Sequence, residues 1–417
     1  MCWLLFCMSA LVGVVCDELI LVQTVFRHGD RAPMGGSTSE ESEIYYFRGK
    51  EQLTDKGLEQ AHQLGLDLRR RYVDNGFLDA RYLPSEVVFR SSSSERCLMT
   101  ASAAASAMFN LTASGQPTVV PIFTVPKEED YVCVPRLQCP SVLREMAEVL
   151  GFSQSVPSLY DLLLELFKQE SERLNYTRVI GDRLNLFEPL FLEQDAGLPV
   201  PLWFDDEARK EADHLLDLTI EFLSGTATFH NRNWILTRSG KLLSTILRNQ
   251  RKAVEQTLGG VKFFAFSTHD ATISALLDSM GILKEALAPQ GRPDFTAAIT
   301  LEVWRNKSNH YVKVSYRRGS TYNEFIDLIT SRMNCRGLDG CTDVITKASE
   351  SFGIDTPQSL CEYGGDESDI PSGLQPITLI FMASTGLLAV LLLVAIITHI
   401  RYRSSEFNVE SASKHDG

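Results

Sequence analysis

No two of the nine cysteines are spaced C-x-x-C, which removes the usual signature of a zinc cluster or a thiol–disulfide active site. Positive charge is also short. Lys and Arg number 40 against 53 Asp and Glu, a formal net charge of −13, whereas nucleic-acid binders carry basic surfaces. Nucleic acid is therefore not expected as a partner. No internal repeat is visible, and the serine run at 91–94 is the only low-complexity tract. Formal charge is missing altogether from two stretches. The first, WLLFCMSALVGVVC, is too short to span a bilayer and is followed at once by Asp17-Glu18. It reads as a secretory signal over residues 1–16, without the usual basic residue ahead of it. The second, residues 377–400, is an apolar run of 24 residues, long enough to cross about 30 Å of hydrocarbon. Arg401 and Arg403 follow it and an acidic stretch precedes it, so the positive-inside bias puts the tail 401–417 in the cytosol. A single-pass type I membrane protein with a lumenal or extracellular domain is expected.

What remains is ordinary globular material, 44% hydrophobic and 22% charged, with ample apolar residues for a core. Beyond the signal lie six cysteines: Cys97, Cys133, Cys139, Cys335, Cys341 and Cys361. An even number suits a disulfide-bonded secretory domain, and six allow about 15 pairings. Sequons at Asn110, Asn175 and Asn306 are compatible with glycosylation on that side of the membrane. Strands are predicted at 19–26, 86–90 and 261–268, each short, apolar and partly β-branched. A helix capped by Thr54 follows the first strand, an alanine-rich helix the second, and a helix beginning at HDATI the third. This alternation predicts an α/β fold, a mostly parallel sheet flanked by helices. The segments ITLEVW and YVKVSY predict a hairpin forming an antiparallel edge. Between 139 and 239 the pattern turns wholly helical. The expected organisation is an α/β domain of 17–138 and 240–365, interrupted by a helical cap at 139–239.

Each predicted parallel strand ends in charge: Arg27, His28 and Arg31 after the first, Arg90 at the second, His269 and Asp270 after the third. Ligands of open α/β sheets bind beyond the carboxyl ends of the strands. Three arginines, two histidines and an aspartate would then meet in one cleft, an arrangement that calls for an anion between them. Guanidinium forks match phosphate oxygens, and helix N-termini add donors of the same polarity. A metal held by His28, Asp30, His269 and Asp270 would be repelled by the flanking arginines, so neither metal nor cofactor is called for. Taken singly, each group has a plainer reading: a solvated loop, a surface ion pair, a helix cap.

RHGDRAP, QLTDKGLEQAHQLG, VFRSSSSERCLMTASA and FSTHDATI, in this order and approximate spacing, resemble the histidine acid phosphatases, branch 2 of the histidine phosphatase superfamily. The membrane-anchored layout looks most like the lysosomal and prostatic type. The resemblance implies a phosphoglycerate-mutase-like sheet, a phosphohistidine formed on His28, and a proton donated by Asp270 to the leaving oxygen. It further implies that Arg27, Arg31, Arg90 and His269 bind the phosphoryl group of a phosphate monoester, and it favours a homodimer. It suggests the disulfides Cys139–Cys361 and Cys335–Cys341, which leaves Cys97 to pair with Cys133 by elimination. Prostatic-type members usually carry RST-D-x-D-R where this chain has RSSSSER, so both aspartates are absent. Leu192 and Phe295 lie near where a third disulfide of the family would fall. The Tyr-x-x-apolar sorting signal of lysosomal relatives is unmatched, since Ser405 stands third after Tyr402. Lysosome and cell surface both remain open, as do a phytate-like or lysophospholipid substrate and a catalytically silent, receptor-like ectodomain.

Overall fold

The computed structural model describes residues 17–109, 115–153, 155–307, 309–319, 322–328, 351–354 and 356–363. All of them belong to one compact unit, Met1–Gly364. The predicted signal, the apolar run 377–400, the tail, Asn110, Cys335 and Cys341 lie outside the described residues. Among the described residues, no helix is long and apolar enough to cross a membrane.

The centre is β1 (Glu18–Arg27), a strand buried on both faces from Leu21 onward. Its period of two splits the side chains cleanly. Leu21 and Val25 join one core with Leu242, Leu243, Ile246, Ile273 and Leu276. Val22 and Phe26 join another with Leu64, Leu68, Ala101 and Ala105. A strand with helices on both sides has no use for alternating polarity, hence its continuous apolar run. The remaining strands are β2 (Val87–Ser91), β3 (Ile122–Phe123), β4 (Phe263–Thr268), β5 (Ala298–Asn306), β6 (Asn309–Gly319) and β7 (Tyr322–Asp327). They form one sheet in the order β3-β2-β4-β1-β5-β6-β7. The first four are mutually parallel, and β5 to β7 continue antiparallel beyond β1. The fold is α/β, with the hairpin where the sequence put it. The two-residue β3 and the terminal β7 carry too little pattern to be seen in advance.

Register fixes what meets at the carboxyl edge. Arg27 pairs with Thr268, and Ser91 with Ser267, so β1, β2 and β4 end level. The α-helices described in this unit include α1 (Glu40–Tyr45), α2 (Asp55–Leu68), α3 (Glu95–Phe109), α4 (Pro140–Val149), α5 (Leu159–Leu174), α6 (Phe187–Asp195), α7 (Asp206–Ser224), α8 (Arg232–Ile235), α9 (Lys241–Val254), α10 (Asp270–Ser279), α11 (Leu283–Leu287) and α12 (Pro357–Tyr363). Thr54 caps α2 by accepting from the Gly57 amide at 3.0 Å. Helices α4 to α8 share a separate apolar core that includes Leu162, Phe167, Leu190, Leu215 and Trp234.

Cys139 is disulfide-bonded to Cys361. Cys97 and Cys133, by contrast, are buried free thiols, which corrects the pairing reached by elimination. The Cys97 sulfur is instead turned to the Thr268 carbonyl at 3.5 Å and His269 Nε2 at 3.7 Å. Burial pushes its pKa up to about 12, so the unreactive thiol form prevails. Within the arginine run at 69–71, Arg71 bonds Glu302 on β5 at 2.8 Å, and Tyr72 shares that carboxylate at 2.7 Å.

Helices α2 and α3 touch backbone to backbone at Gly65. An added Cβ there would overlap the Ala104 carbonyl and lie 2.7 Å from the Ala107 methyl. Gly65→Ala is accordingly expected to lower stability by about 1–3 kcal/mol, the range for overpacking, read as a lower urea midpoint at unchanged m-value. An unchanged midpoint would show that the helices separate at no cost.

Candidate active site

The loop after β1 carries Arg27, His28 and Arg31, and its position is set by backbone contact rather than by side chains. Gly29 and Gly57 face each other so closely that a Cβ on either would run into the other loop's carbonyl groups. The Gly29 amide donates to Thr100 Oγ1 at 3.0 Å, and the Asp30 amide to Gln60 Oε1 at 2.8 Å. The Asp30 carboxylate accepts from Thr54 Oγ1 at 2.6 Å. Its role is to tie the loop to the cap of α2.

His28 lies almost wholly buried, its Nδ1 2.9 Å from the Gly29 carbonyl. A carbonyl oxygen only accepts, so Nδ1 carries the proton and Nε2 keeps its lone pair. Burial first, then the Arg96 guanidinium, holds the imidazole well below the usual histidine range; Arg27, His269 and Arg31 act in the same direction. The ring stays neutral in acid. His269 stands edge-on to it, with centroids 5.6 Å apart. Ser92 Oγ is 3.0 Å from its Nε2, and burial with Arg96 keeps this ring neutral too.

Arg27 Nη2 pairs with Asp270 Oδ2 at 2.7 Å, and Nη1 donates to the Pro293 carbonyl at 2.7 Å. Its guanidinium lies over the Phe295 ring at 4.2 Å. Arg31 Nη1 pairs with Glu188 of α6 at 2.9 Å. Burial alone would raise the Asp270 pKa, but Arg27, His269, the Ala271 amide and Arg31 together outweigh it, and the carboxyl rests below its ordinary range. These residues line a cavity of about 1350 Å³.

Arg90 is not among the residues lining this cavity. It turns to Asp130, 2.9 Å away, whose carboxylate also accepts from the Val132 and Cys133 amides. The third guanidinium of the site is that of Arg96, six residues further on, at the start of α3. It pairs with Glu51 at 3.3 Å. The Nε donors of Arg27, Arg90 and Arg96 are all buried without a hydrogen-bond partner among the described residues; of the three, only Arg27 and Arg96 line the cavity. Sequence reasoning chose the arginine ending the strand; the usable signal was the helix start after RSSSSE, where residue types favour an anion.

Residues 18–317 match the family described as histidine phosphatase superfamily (branch 2). The chain is 32% identical to "Putative acid phosphatase 1" of Caenorhabditis elegans over 428 aligned positions, covering 98% of this chain and 99% of that protein. It is 27% identical to the prostatic acid phosphatase of Homo sapiens, covering 75% of this chain and 81% of the relative. The lysosomal acid phosphatase of Xenopus laevis is also 27% identical, with 73% and 70% covered. Among solved structures, a phytase of Klebsiella sp. ASR1 superposes with a TM-score of 0.55 at 15% identity, covering 82% of this chain and 96% of the phytase. That likeness bears on the fold alone.

Arg96→Ala should weaken orthophosphate binding by about 10- to 100-fold, the worth of a charge-assisted hydrogen bond, whereas Arg90→Ala should change it by less than about threefold. Calorimetric titration with phosphate separates the two. Equal losses would return Arg90 to the site.

Proposed function

Because the chain belongs to the histidine phosphatase superfamily (branch 2), we propose that His28 Nε2 attacks the phosphorus of a phosphate monoester. The protein is an acid phosphatase, a phosphoric monoester hydrolase. The observation that carries the residue assignment is the Nδ1 contact to the Gly29 carbonyl, which keeps the opposite nitrogen unprotonated and facing the cavity. In the first step the N–P bond forms as the ester P–O bond breaks, and Asp270 gives its proton to the departing oxygen. In the second, water attacks phosphorus and passes a proton to the Asp270 carboxylate. The N–P bond then breaks, its electron pair returns to Nε2, and phosphate leaves. Arg27, Arg31, Arg96 and His269 hold the phosphoryl oxygens; positioning and charge neutralisation are most of what phosphoryl transfer requires.

Asp270 must be protonated to act, yet Arg27 and its neighbours together favour the ionised form in the empty site. A bound dianion supplies the missing balance. It takes over Arg27 and sets negative charge beside the carboxyl, and both changes raise the carboxyl pKa. The protonated fraction then falls as pH rises, so turnover falls on the alkaline side. His28, with its pKa lowered, stays a competent nucleophile below the ordinary histidine value of 6.5. Activity is thereby confined to acid.

The wider reading follows from the same family. Residues 17–138 and 240–365 form the catalytic domain and 139–239 its helical cap, supported by the separate apolar core there. The Cys139–Cys361 bond supports an oxidising compartment. With the signal at 1–16 and the anchor at 377–400, it favours a type I protein of the lysosome or cell surface. Asn175, exposed at the end of α5, would carry a glycan, with Asn110 and Asn306. A homodimer is supported by the exposed apolar edge at β3, where Val119 and Phe123 face solvent.

Two measurements test the assignment. His28→Ala should abolish acid-labile phosphoenzyme and phosphate release; hydrolysis at the wild-type rate would refute it. Asp270→Asn should slow alkyl phosphates by about 10²–10⁴-fold, the span of general acid catalysis. The loss should be far smaller for p-nitrophenyl phosphate, whose leaving group needs no proton. It should also flatten the alkaline limb of the pH–rate profile, and equal loss on both ester types counts against the role.

A further inference from the structure

Residues 49–52 form a tight turn beside the loop that carries His28, closed by the Gln52 amide donating to the Gly49 carbonyl at 3.2 Å. Glu51 is its third residue and sits at φ +63. A turn of this kind usually takes glycine there, and a side chain costs backbone strain. The turn is fixed on both flanks. Its Gln52 carbonyl accepts from the Ala32 amide at 2.8 Å, and Leu53 bridges to Arg31. The Gln52 side chain bonds Glu95, and the Glu51 carboxylate accepts from Arg96 at 3.3 Å. Two consecutive residues of the turn thus meet the first two residues of α3. A strained position delivers negative charge to a guanidinium of the phosphate pocket.

Three carboxylates compensate the three guanidiniums of that pocket, and they are not equally committed. Asp270 lies 2.7 Å from Arg27 and also accepts from the Ala271 amide at 2.8 Å. Glu188 lies 2.9 Å from Arg31 and also accepts from the Met34 amide at 3.1 Å. Glu51 reaches Arg96 over the longest of the three distances and makes no further hydrogen bond among the described residues. Its side chain is 38% exposed, against 19% for Asp270 and 18% for Glu188. Water can receive this carboxylate at small cost, whereas moving either of the others breaks a second bond. Arg96 lines the cavity and its Nε has no partner among the described residues, so an entering anion meets a guanidinium with an unspent donor.

We propose that Glu51 is the exchangeable counter-ion of Arg96: phosphate displaces it on binding, and it returns to the guanidinium as orthophosphate leaves. This rests on the phosphatase reading only in taking Arg96 as a phosphate-binding group. Glu51 touches none of the reacting atoms; it sets how tightly the phosphoryl group is held.

Calorimetric titration of the full-length protein with orthophosphate tests this, because losing an internal competitor tightens binding whereas losing a support weakens it. Glu51→Gln should lower the Kd about three- to tenfold, between the worth of an exposed ion pair and that of a charge-assisted hydrogen bond. The KM for p-nitrophenyl phosphate and the competitive Ki of orthophosphate should fall with it. Glu51→Gly removes the same charge and suits the turn, and should tighten binding equally. In an Arg96→Ala background either substitution should have little effect, since the coupled pair is already broken. An unchanged Kd in both variants overturns the proposal, and a weaker one makes Glu51 a fixed support of Arg96 instead. Tightening by Glu51→Gly alone assigns the effect to the backbone and overturns it as well, as does tightening of the same size without Arg96. If the wild type binds orthophosphate but releases none from any ester, the phosphatase reading falls while the same titrations still decide this one. No binding by the wild type overturns it outright.

Discussion

The ion pair between Arg27 and Asp270, 2.7 Å long, joins the end of one parallel strand to the helix that follows its neighbour. A guanidinium as buried as that of Arg27 cannot be left without compensation in a low dielectric. In the empty site Asp270 provides it. Arg31 and Arg96 are handled the same way by Glu188 and Glu51. The protein therefore folds around three converging cations without its ligand, because each has a carboxylate to retreat to. A phosphate dianion must displace part of that pairing when it binds, which moderates its affinity and helps product leave. On the proposed mechanism the same exchange would move Asp270 from counter-ion to acid, making binding and proton supply one event.

The loop is held by an unusual economy of side chains. Two glycines allow the loop and the start of α2 to meet main chain to main chain, and Thr54 serves both as helix cap and as partner of Asp30. On the other flank the Thr296 amide donates to the His28 carbonyl at 3.1 Å. Thr296 sits at φ +56, a conformation costly for a β-branched residue. Its carbonyl accepts from Arg317, itself buried and paired with Asp67 of α2 at 2.7 Å. Strain next to His28 is thus borne by a buried ion pair that ties the antiparallel half of the sheet to α2.

The strands and helices nearest the site were legible because they obey local rules. β1 is a short apolar run ending in charge, α2 begins with a capping threonine, and His269-Asp270 open a helix directly after β4. What was not legible depends on contacts far apart in sequence. Arg90 and Arg96 are both arginines after a strand, and only the packing of α3 against β4 decides which faces His28. The choice went to Arg90, which meets Asp130 instead. Cys97 and Cys133 were paired by counting; the count carried no information about where each sulfur points, and Cys97 points at His269. Glu188 and Phe295 could not be nominated, since each comes from a segment with no motif and reaches the site through tertiary packing.

Arg292 makes the cap and the reaction centre interdependent. It is clamped by two carboxylates of α7, Gly291 beside it donates to Asp217 at 3.0 Å, and Pro293 after it receives Arg27. Any displacement of α7 is therefore passed through three consecutive residues to the arginine that controls Asp270. Helix α7 thus both lines the cavity and, through Arg292, steadies the counter-ion of Asp270. On the proposed mechanism, substrate contact with α7 would reach the proton donor through this clamp, which is how binding energy remote from phosphorus can be expressed in the chemical step.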